Sequence, residues 1–308
     1  MVATVRSLAA PSILADGDRS GGFILETGRR PRTFRQSTAI VTQSTSSLSF
    51  MNTQNGALAA CTTSWDDGYP LDRRVAELLA KYDLTGTFYI PMKSPRQVMT
   101  GREIRQLSEL FEVGAHTIHH VVLTSASNQE AEVEIRESKK RLEDLTGRFC
   151  ETFCFPKGRF RRSHLEMLCR AGFGCARTVE LLSTRFPIRR AGIYLIPTTV
   201  QAAPIARRVL ARNCAKRLAW RNVVNVILHT RSRNWTQTAH AMLQDVARRG
   251  GVFHLWGHSW EVEEQQQWPQ LESVLREMQH LRTRMPCVAN SKLSSISAAS
   301  VPCELQTE

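Results

Sequence analysis

The chain has no long hydrophobic run, since no segment approaches the ~18 uninterrupted apolar residues expected of a membrane-spanning helix. It has no C-x-x-C pair, and no histidine lies close enough to Cys150 and Cys154 to complete a zinc finger. Acidic residues are few beside basic ones: 28 Asp+Glu against 41 Lys+Arg in 308 residues, a formal charge of +13. A membrane channel and a zinc finger are thereby excluded, and the 42% hydrophobic content excludes a chain disordered throughout.

The eight cysteines are scattered, which is typical of buried, reduced thiols rather than of a disulfide framework. Reduced thiols favour a cytoplasmic location. Residues 1–55 contain six Arg, no Lys and three acidic residues, a composition that transit peptides share. Their apolar run after Arg6 is too short for a secretory signal. We expect residues 1–57 to form a disordered extension and the protein to be cytoplasmic.

From residue 58 onwards, short apolar runs alternate with segments of helical periodicity. The patterns predict helices over 102–113, over 128–146 beginning at Asn128, and over 265–281, and strands over 223–228 and 252–256. Strands that alternate with helices imply βαβ units and a parallel sheet covered on both faces. We therefore expect the α/β class, with a single (β/α) barrel over residues 58–285 and a Ser-rich tail over 286–308.

Three polar clusters fall where predicted strands end: Asp66 with Asp67, His116 with His120, and His258. In a barrel of this kind these ends meet at one face, so the clusters are expected to lie together. The four-residue spacing of His116 and His120 would place both rings on one side of a helical turn. Two imidazoles and one carboxylate form a three-ligand site for a divalent metal that leaves a position open for water.

Two further histidines stand beside these clusters. His119 is a competing ligand, because its spacing from His116 also fits a helical turn. His254 lies inside the strand that precedes His258, where a histidine of the core with satisfied hydrogen bonds is expected.

In these residues the sequence resembles the polysaccharide deacetylases, carbohydrate esterase family 4, whose domain is called the NodB-homology fold. The family's first motif is T-F-D-D-G, and its second is H-[ST]-x-x-H, often followed by x-x-L. A later motif places a catalytic histidine after a buried strand. The corresponding stretches here are Thr63-Ser64-Trp65-Asp66-Asp67-Gly68, His116-Thr117-Ile118-His119-His120 with Leu123, and Leu255-Trp256-Gly257-His258-Ser259.

The resemblance implies a distorted (β/α) barrel and a role for each matching residue. Asp67, His116 and His120 would hold a divalent metal, which in this family is usually Zn²⁺. Asp66 would act as the general base, and His258 as the general acid that protonates the departing amine. The implied reaction is metal-dependent hydrolysis of the N-acetyl, or another N-acyl, group of an amino sugar or oligosaccharide.

The third family motif, R-x-P-Y, is altered in this chain. The corresponding residues are Cys154-Phe155-Pro156-Lys157, without the arginine that orients the catalytic aspartate and without the tyrosine. Lys157, Arg159 or Arg177 would have to supply the missing positive charge, and we favour Arg159. Together with Trp65 and Trp260, Arg159 is assigned to substrate binding or orientation.

Residues 181–244 contain eleven Lys/Arg and no acidic residue. Such a stretch is typical of a solvated basic surface or of a site for an anionic partner. We expect an N-acylated saccharide as the partner, with an anionic or lipid-linked sugar kept open. Nucleic acid is not expected, because no recognised module is present.

Two other functions stay open at this point. A hydrolase of the same fold would act on a non-sugar linear or cyclic amide. The other alternative is a catalytically inactive, basic carbohydrate-binding protein that retains the barrel fold without the activity.

Overall fold

A computed structural model describes residues 57–205 and 234–299 of the chain. Strands and helices alternate along most of it. The strands are β1 Ala59–Asp66, β2 Thr87–Ile90, β3 Glu112–Ala115, β4 Thr152–Cys154, β5 Cys175–Arg177, β6 Ile188–Arg190, β7 Ile193–Ile196, β8 Val200–Gln201 and β9 Gly251–Gly257. The helices are α1 Asp72–Lys81, α2 Gly101–Leu110, α3 Asn128–Thr146, α4 Arg162–Arg170, α5 Trp235–Arg249, α6 Ser259–Glu264, α7 Trp268–Leu281 and α8 Asn290–Ala299.

All nine described strands belong to one curled sheet, in the order β6-β7-β5-β4-β3-β2-β1-β9-β8. Every neighbouring pair is parallel except β6 with β7. The short segment 197–199 joins β7, beside β5, to β8, beside β9. In that segment the Thr199 N–H donates to the carbonyl of His254 on β9 (3.0 Å). The prediction of a single distorted (β/α) barrel is thereby confirmed.

The central strand β1 is buried along its whole length. Alternate side chains of a strand face opposite sides, so Cys61 and Trp65 pack in the main apolar cluster with the helices. Thr62, Ser64 and Asp66 point into the barrel, where each contacts a polar group of another element. The interior is therefore polar towards the carboxyl ends of the strands.

Side-chain caps define where two of the helices begin. Thr100 and Glu103 form a capping box at α2, and Ser127 and Glu130 form one at α3. The cap of α3 is thus Ser127 rather than Asn128. The predicted helix over 102–113 is also too long, since Glu112 already starts β3.

The C-terminal boundary predicted at residue 285 is too early. Helix α8 packs at the amino ends of the strands, where Leu293 and Ile296 are buried in one cluster with Ala60 and Val252. The folded part of the chain therefore extends to the end of α8, and this part of the predicted Ser-rich tail belongs to the core.

The described residues do not include the predicted strand over 223–228, residues 1–56 of the predicted extension over 1–57, or much of the basic 181–244 stretch. Within the described ranges, no helix combines the length and apolar character needed to cross a bilayer.

Candidate metal centre

The three predicted clusters meet at the carboxyl ends of the strands. Asp66 is the last residue of β1, His116 directly follows β3, and His258 directly follows β9. Strand β1 lies beside β9, and only β2 separates it from β3, so the carboxylates at the end of β1 are close to the loops after β3 and β9. The chain turns after β1 at Asp67, whose φ of 77° lies in the left-handed region, which is uncommon for a non-glycine residue.

Asp67, His116 and His120 bring one ligand atom each to a common point. The three atoms lie within 4.8 Å of one another. Asp67 Oδ1 is 3.1 Å from His120 Nε2 and 3.7 Å from His116 Nε2. These are the residues predicted as metal ligands, and the structure places them together.

The backbone between the two histidines is irregular, so the prediction that a helical turn aligns them is wrong. Thr117 and His120 both have left-handed φ angles, 66° and 54°. The carboxylate of Glu134 on α3 holds this loop by accepting the backbone N–H groups of Ile118 (2.8 Å) and His119 (3.0 Å).

The competing ligand His119 points away from the centre. Its Nδ1 lies 2.6 Å from Glu134 Oε1, and half of its side chain is exposed. His120, not His119, therefore joins His116 at the centre.

His116 is prepared for metal binding by its surroundings. Its Nδ1–H donates to the carbonyl of Cys154 (2.7 Å), which leaves Nε2 as the atom with a free lone pair. Burial lowers the pKa of His116 to about 4, so the imidazole is neutral near pH 7. A neutral imidazole with a fixed Nδ1–H is the form that binds a cation.

The carboxylate of Asp67 also suits a cation. Its Oδ2 accepts the indole N–H of Trp260 (3.0 Å), whereas its buried Oδ1 receives no well-aligned hydrogen bond from the described residues. Burial alone would raise the pKa of Asp67, but the imidazoles of His120, His258 and His116 hold it well below its usual range. One anionic oxygen and two imidazole nitrogens fit a divalent cation such as Zn²⁺.

A second group of potential ligand atoms, from Asp66, His116 and Cys154, also lies within 4.8 Å. It is a poorer cation site, because Arg177 forms an ion pair with Asp66 Oδ2. Burial also raises the pKa of the Cys154 thiol well above its usual value, which disfavours the thiolate.

The positive charge beside Asp66 comes from Arg177 on β5, not from Arg159 as favoured from the sequence. Arg177 is fully buried, donates from Nη2 to Asp66 and lies against the ring of Trp256, 4.6 Å from its centroid. Burial would raise the pKa of Asp66, but Arg177, His116 and His258 together keep it below its usual range. The Arg159 side chain is exposed, and among the described residues it makes no contact with Asp66.

The two assigned tryptophans have different positions. Trp65 is fully buried in the main apolar cluster, out of reach of any substrate, so its assignment to substrate binding is wrong. Trp260 is half-buried at the centre, where it orients Asp67 and lies under the guanidinium of Arg96 at 3.7 Å.

His258 faces the two carboxylates from the other side. Its Nε2 lies 4.0 Å from Asp66 Oδ2 and 4.0 Å from Asp67 Oδ2, while its Nδ1–H donates to Glu261 (3.2 Å). Burial lowers the pKa of His258, but Glu261, Asp66 and Asp67 outweigh burial and raise it above its usual value. Sequence reasoning did not identify Glu261, although its position one turn along α6 from His258 is a readable signal.

His254 is a core residue, as predicted. Its Nδ1–H donates to the carbonyl of Pro197 (2.8 Å), and its Nε2 accepts the Ser64 hydroxyl (2.8 Å). Burial lowers the pKa of His254 to about 3, so it remains neutral.

Comparisons with known proteins agree with this fold. The family model of polysaccharide deacetylases matches residues 57–176. A candidate polysaccharide deacetylase of Bacillus subtilis (strain 168), YxkH, is 24% identical over 121 residues, which are 38% of this chain and 43% of that protein. The chain thus spans less than half the length of this curated relative.

Two solved structures show the same fold at low sequence identity. A candidate polysaccharide deacetylase from Mycobacterium smegmatis matches with a TM-score of 0.54 and 13% identity, over 79% of this chain and 92% of that one. The chitin deacetylase of Colletotrichum lindemuthianum matches with a TM-score of 0.50 and 13% identity, over 76% and 86%. Residues 57–176 are thus similar to the polysaccharide deacetylases, and the described residues share the fold of these two solved structures.

Proposed function

We propose that this protein is a metal-dependent deacetylase that hydrolyses the N-acetyl, or another N-acyl, group of an amino sugar. The observation that carries the proposal is the convergence of Asp67, His116 and His120 within 4.8 Å, with Asp66 and His258 beside them. A divalent cation bound there, Zn²⁺ by its ligand preference, supplies Lewis-acid chemistry that activates water and polarises an acyl carbonyl.

The protein's own residues handle the protons. Asp66 is ionised at neutral pH, because Arg177 and the nearby imidazoles outweigh burial in setting its pKa, so it accepts a proton from the attacking water. His258 holds a proton on Nε2 and donates it to the nitrogen that leaves as the amine. Glu261 keeps that imidazole in position through Nδ1.

The altered third motif favours one alternative substrate class. Cys154 and Lys157 replace the arginine and tyrosine of R-x-P-Y, so contacts near the acyl group differ from those the motif implies. A non-sugar linear or cyclic amide is therefore the second candidate substrate. Acetylated oligosaccharides assayed beside cyclic imides and ureides separate the two, since only one class should be turned over.

Metal content measured by elemental analysis tests the proposed centre. We expect about one divalent ion per chain in the wild type and none in the His116→Ala/His120→Ala double variant. His119→Ala is the matched control, because its side chain points to Glu134, and it should keep the ion. A wild type that takes up no metal even after incubation with Zn²⁺ contradicts the proposal and favours a non-catalytic carbohydrate binder.

The base assignment has its own test in Asp66→Asn. This variant should bind the metal but lose turnover, because an amide cannot accept the proton. Turnover close to that of the wild type would exclude Asp66 as the base.

A further inference from the structure

The turn after β4 lies at the edge of the candidate metal centre. Cys154, the last residue of β4, accepts a hydrogen bond from His116 through its carbonyl and approaches Asp66 Oδ2 with its thiol (3.8 Å). Lys157 follows three residues later, within the short 3-10 turn Pro156–Gly158. It stands where the R-x-P-Y motif has its tyrosine.

Lys157 is held in a conformation that a lysine rarely adopts. Its φ and ψ are 56° and 14°, in the left-handed region, where a residue with a Cβ is disfavoured relative to glycine. Gly158 also has a positive φ, 62°, and packs so tightly that an added Cβ would lie 2.1 Å from Val179 Cγ2. The packing of Gly158 therefore fixes the turn, and a glycine at 157 would fit it with less strain.

The Lys157 side chain is exposed and has no described partner. Within residues 57–205 and 234–299, its Nζ makes no hydrogen bond or ion pair. Lys157 thus combines a strained backbone with a charged side chain that has no described partner. This combination indicates that the side chain itself has a function.

Two further free cations lie in loops at the same end of the barrel. Lys93 follows β2, and its N–H donates to the carbonyl of Ile118 in the loop that carries His116 and His120 (2.7 Å). Arg159 follows the β4 turn. Both side chains are exposed and without an ion pair among the described residues.

Four acidic residues in or beside these loops have partners among the described residues. They are Glu134 with His119, Glu180 with Arg185, Glu261 with His258, and Glu264 with Arg96. Lys93, Lys157 and Arg159 therefore give the rim of the centre a positive charge that no described residue compensates, and such a charge attracts anions.

We propose that Lys157, with Lys93 and Arg159, recognises an anionic group on the substrate, so that the preferred substrate class is an N-acylated saccharide bearing a carboxylate or a phosphate. The inference rests on the proposed deacetylase function and adds the charge of the substrate to it. An ammonium group binds either anion through charge-assisted hydrogen bonds.

The test compares three matched substrates with the zinc-loaded, full-length protein. They are a neutral N-acetylglucosamine tetramer, the same tetramer with C6 carboxylates and the same tetramer with C6 phosphates. We expect at least one anionic tetramer to exceed the neutral one about tenfold in kcat/KM at low salt, and the preference to shrink at high salt, which screens exposed charges. The tetramer with the highest kcat/KM shows whether the site prefers a carboxylate or a phosphate.

Lys157→Gly isolates the side chain, because glycine keeps the backbone amide and relieves the left-handed strain. It should lower the ratio of kcat/KM for the anionic tetramer to kcat/KM for the neutral one about tenfold, and it should not lower the unfolding midpoint. Ala191→Gly is the matched control, since Ala191 also has a left-handed φ, 48°, in the turn between β6 and β7. It should leave kcat/KM for all three substrates unchanged.

Direct binding of the three tetramers, measured by calorimetry, keeps this inference distinct from the proposed function. If no tetramer is hydrolysed but the anionic ones bind more tightly and lose that advantage in Lys157→Gly, the deacetylase proposal fails and the anion site stands. Equal kcat/KM and equal binding for neutral and anionic tetramers would overturn the anion site alone.

Discussion

At the level of single residues, the positive charge beside Asp66 comes from a different strand than the R-x-P-Y motif implies. Cys154 occupies the arginine position of R-x-P-Y on β4, and Arg177 lies directly beside it on β5, in register across the parallel pair. The guanidinium therefore reaches Asp66 from the neighbouring strand. Because Arg177 and Asp66 are both buried, removing either one would leave an uncompensated buried charge.

Replacing Arg177 tests this pairing. Arg177→Met should lower the free energy of unfolding by about 3–5 kcal/mol and nearly abolish turnover, because Asp66 loses its counter-ion. Adding Cys154→Arg should recover part of both, since it returns the charge to the adjacent strand. Urea unfolding and acetate release measure the two effects.

An exposed arginine provides the control for this prediction. Arg170 on α4 pairs with Glu132 at the surface, so Arg170→Met should cost only about 0–1 kcal/mol and leave turnover intact. A fully active Arg177→Met variant would contradict the role given to Arg177.

Among the secondary-structure elements, α8 covers the amino end of the barrel, which the sequence pattern did not predict. Asn290 donates from Nδ2 to the Tyr89 hydroxyl (2.9 Å) and accepts the Thr62 hydroxyl (2.8 Å) at Oδ1. Its backbone N–H donates to Thr87 (3.0 Å), so it satisfies three buried strand residues. Leu293 and Ile296 then fill the apolar end of the interior.

Weakening the packing of α8 against the strands should therefore destabilise the whole barrel. Leu293→Ala removes a fully buried side chain and is expected to cost about 2–5 kcal/mol in urea unfolding. Ser295 on the exposed side of α8 is the matched control, and Ser295→Ala should stay within about 0.5 kcal/mol of the wild type. Equal stabilities for the two variants would mean that α8 is dispensable for the fold.

For the whole molecule, a buried carboxyl at the start of α1 couples stability to pH. Asp72 is fully buried, accepts the Ser259 hydroxyl at Oδ1 (2.5 Å) and has no hydrogen-bond partner at Oδ2 among the described residues. Burial, reinforced by Asp67 and Asp66, raises the pKa of Asp72 well above its usual value, although Ser259 and His258 oppose the shift. The folded protein thus binds this proton more tightly than the unfolded chain does.

The sign of the effect follows from proton linkage. Between the usual aspartate pKa and the raised one, the folded state holds more protons, so the free energy of unfolding falls as pH rises through that window. Asp72→Asn keeps the acceptor for Ser259 without the charge, so its advantage over the wild type should grow from pH 5 to pH 8. Urea midpoints across that range measure the difference, and curves that run parallel would refute the shift.

Many of these elements are readable from the sequence because they depend on local patterns. The alternation of apolar runs and helical periodicity predicts the barrel, since each strand and helix must bury its own apolar face. Asp66, Asp67, His116, His120 and His258 are readable because the carboxyl ends of parallel strands meet at one face. Their roles as ligands, base and acid stay predictions that the proposed experiments address.

The loop between His116 and His120 marks a limit of local pattern reading. A four-residue spacing between histidines occurs both in helices and in irregular turns such as this one. Here the irregular backbone is stabilised by Glu134 on α3, which accepts hydrogen bonds from the loop's N–H groups. The Ser-rich sequence of α8 has little amphipathic contrast, so its burial depends on the barrel end that it fills.

The sequence by itself determines the barrel class and the set of side chains at its carboxyl end, because burial periodicity and strand order are local properties. Only the tertiary structure decides that Arg177 pairs with Asp66, that α8 covers the amino end of the barrel and that Lys157 lies at the rim without a partner among the described residues. Each of these depends on contacts between segments far apart in the chain, such as the pair of Asp66 and Arg177, which are 111 residues apart. Such contacts are selected by packing and by the cost of burying an unpaired charge, which no short window of sequence contains.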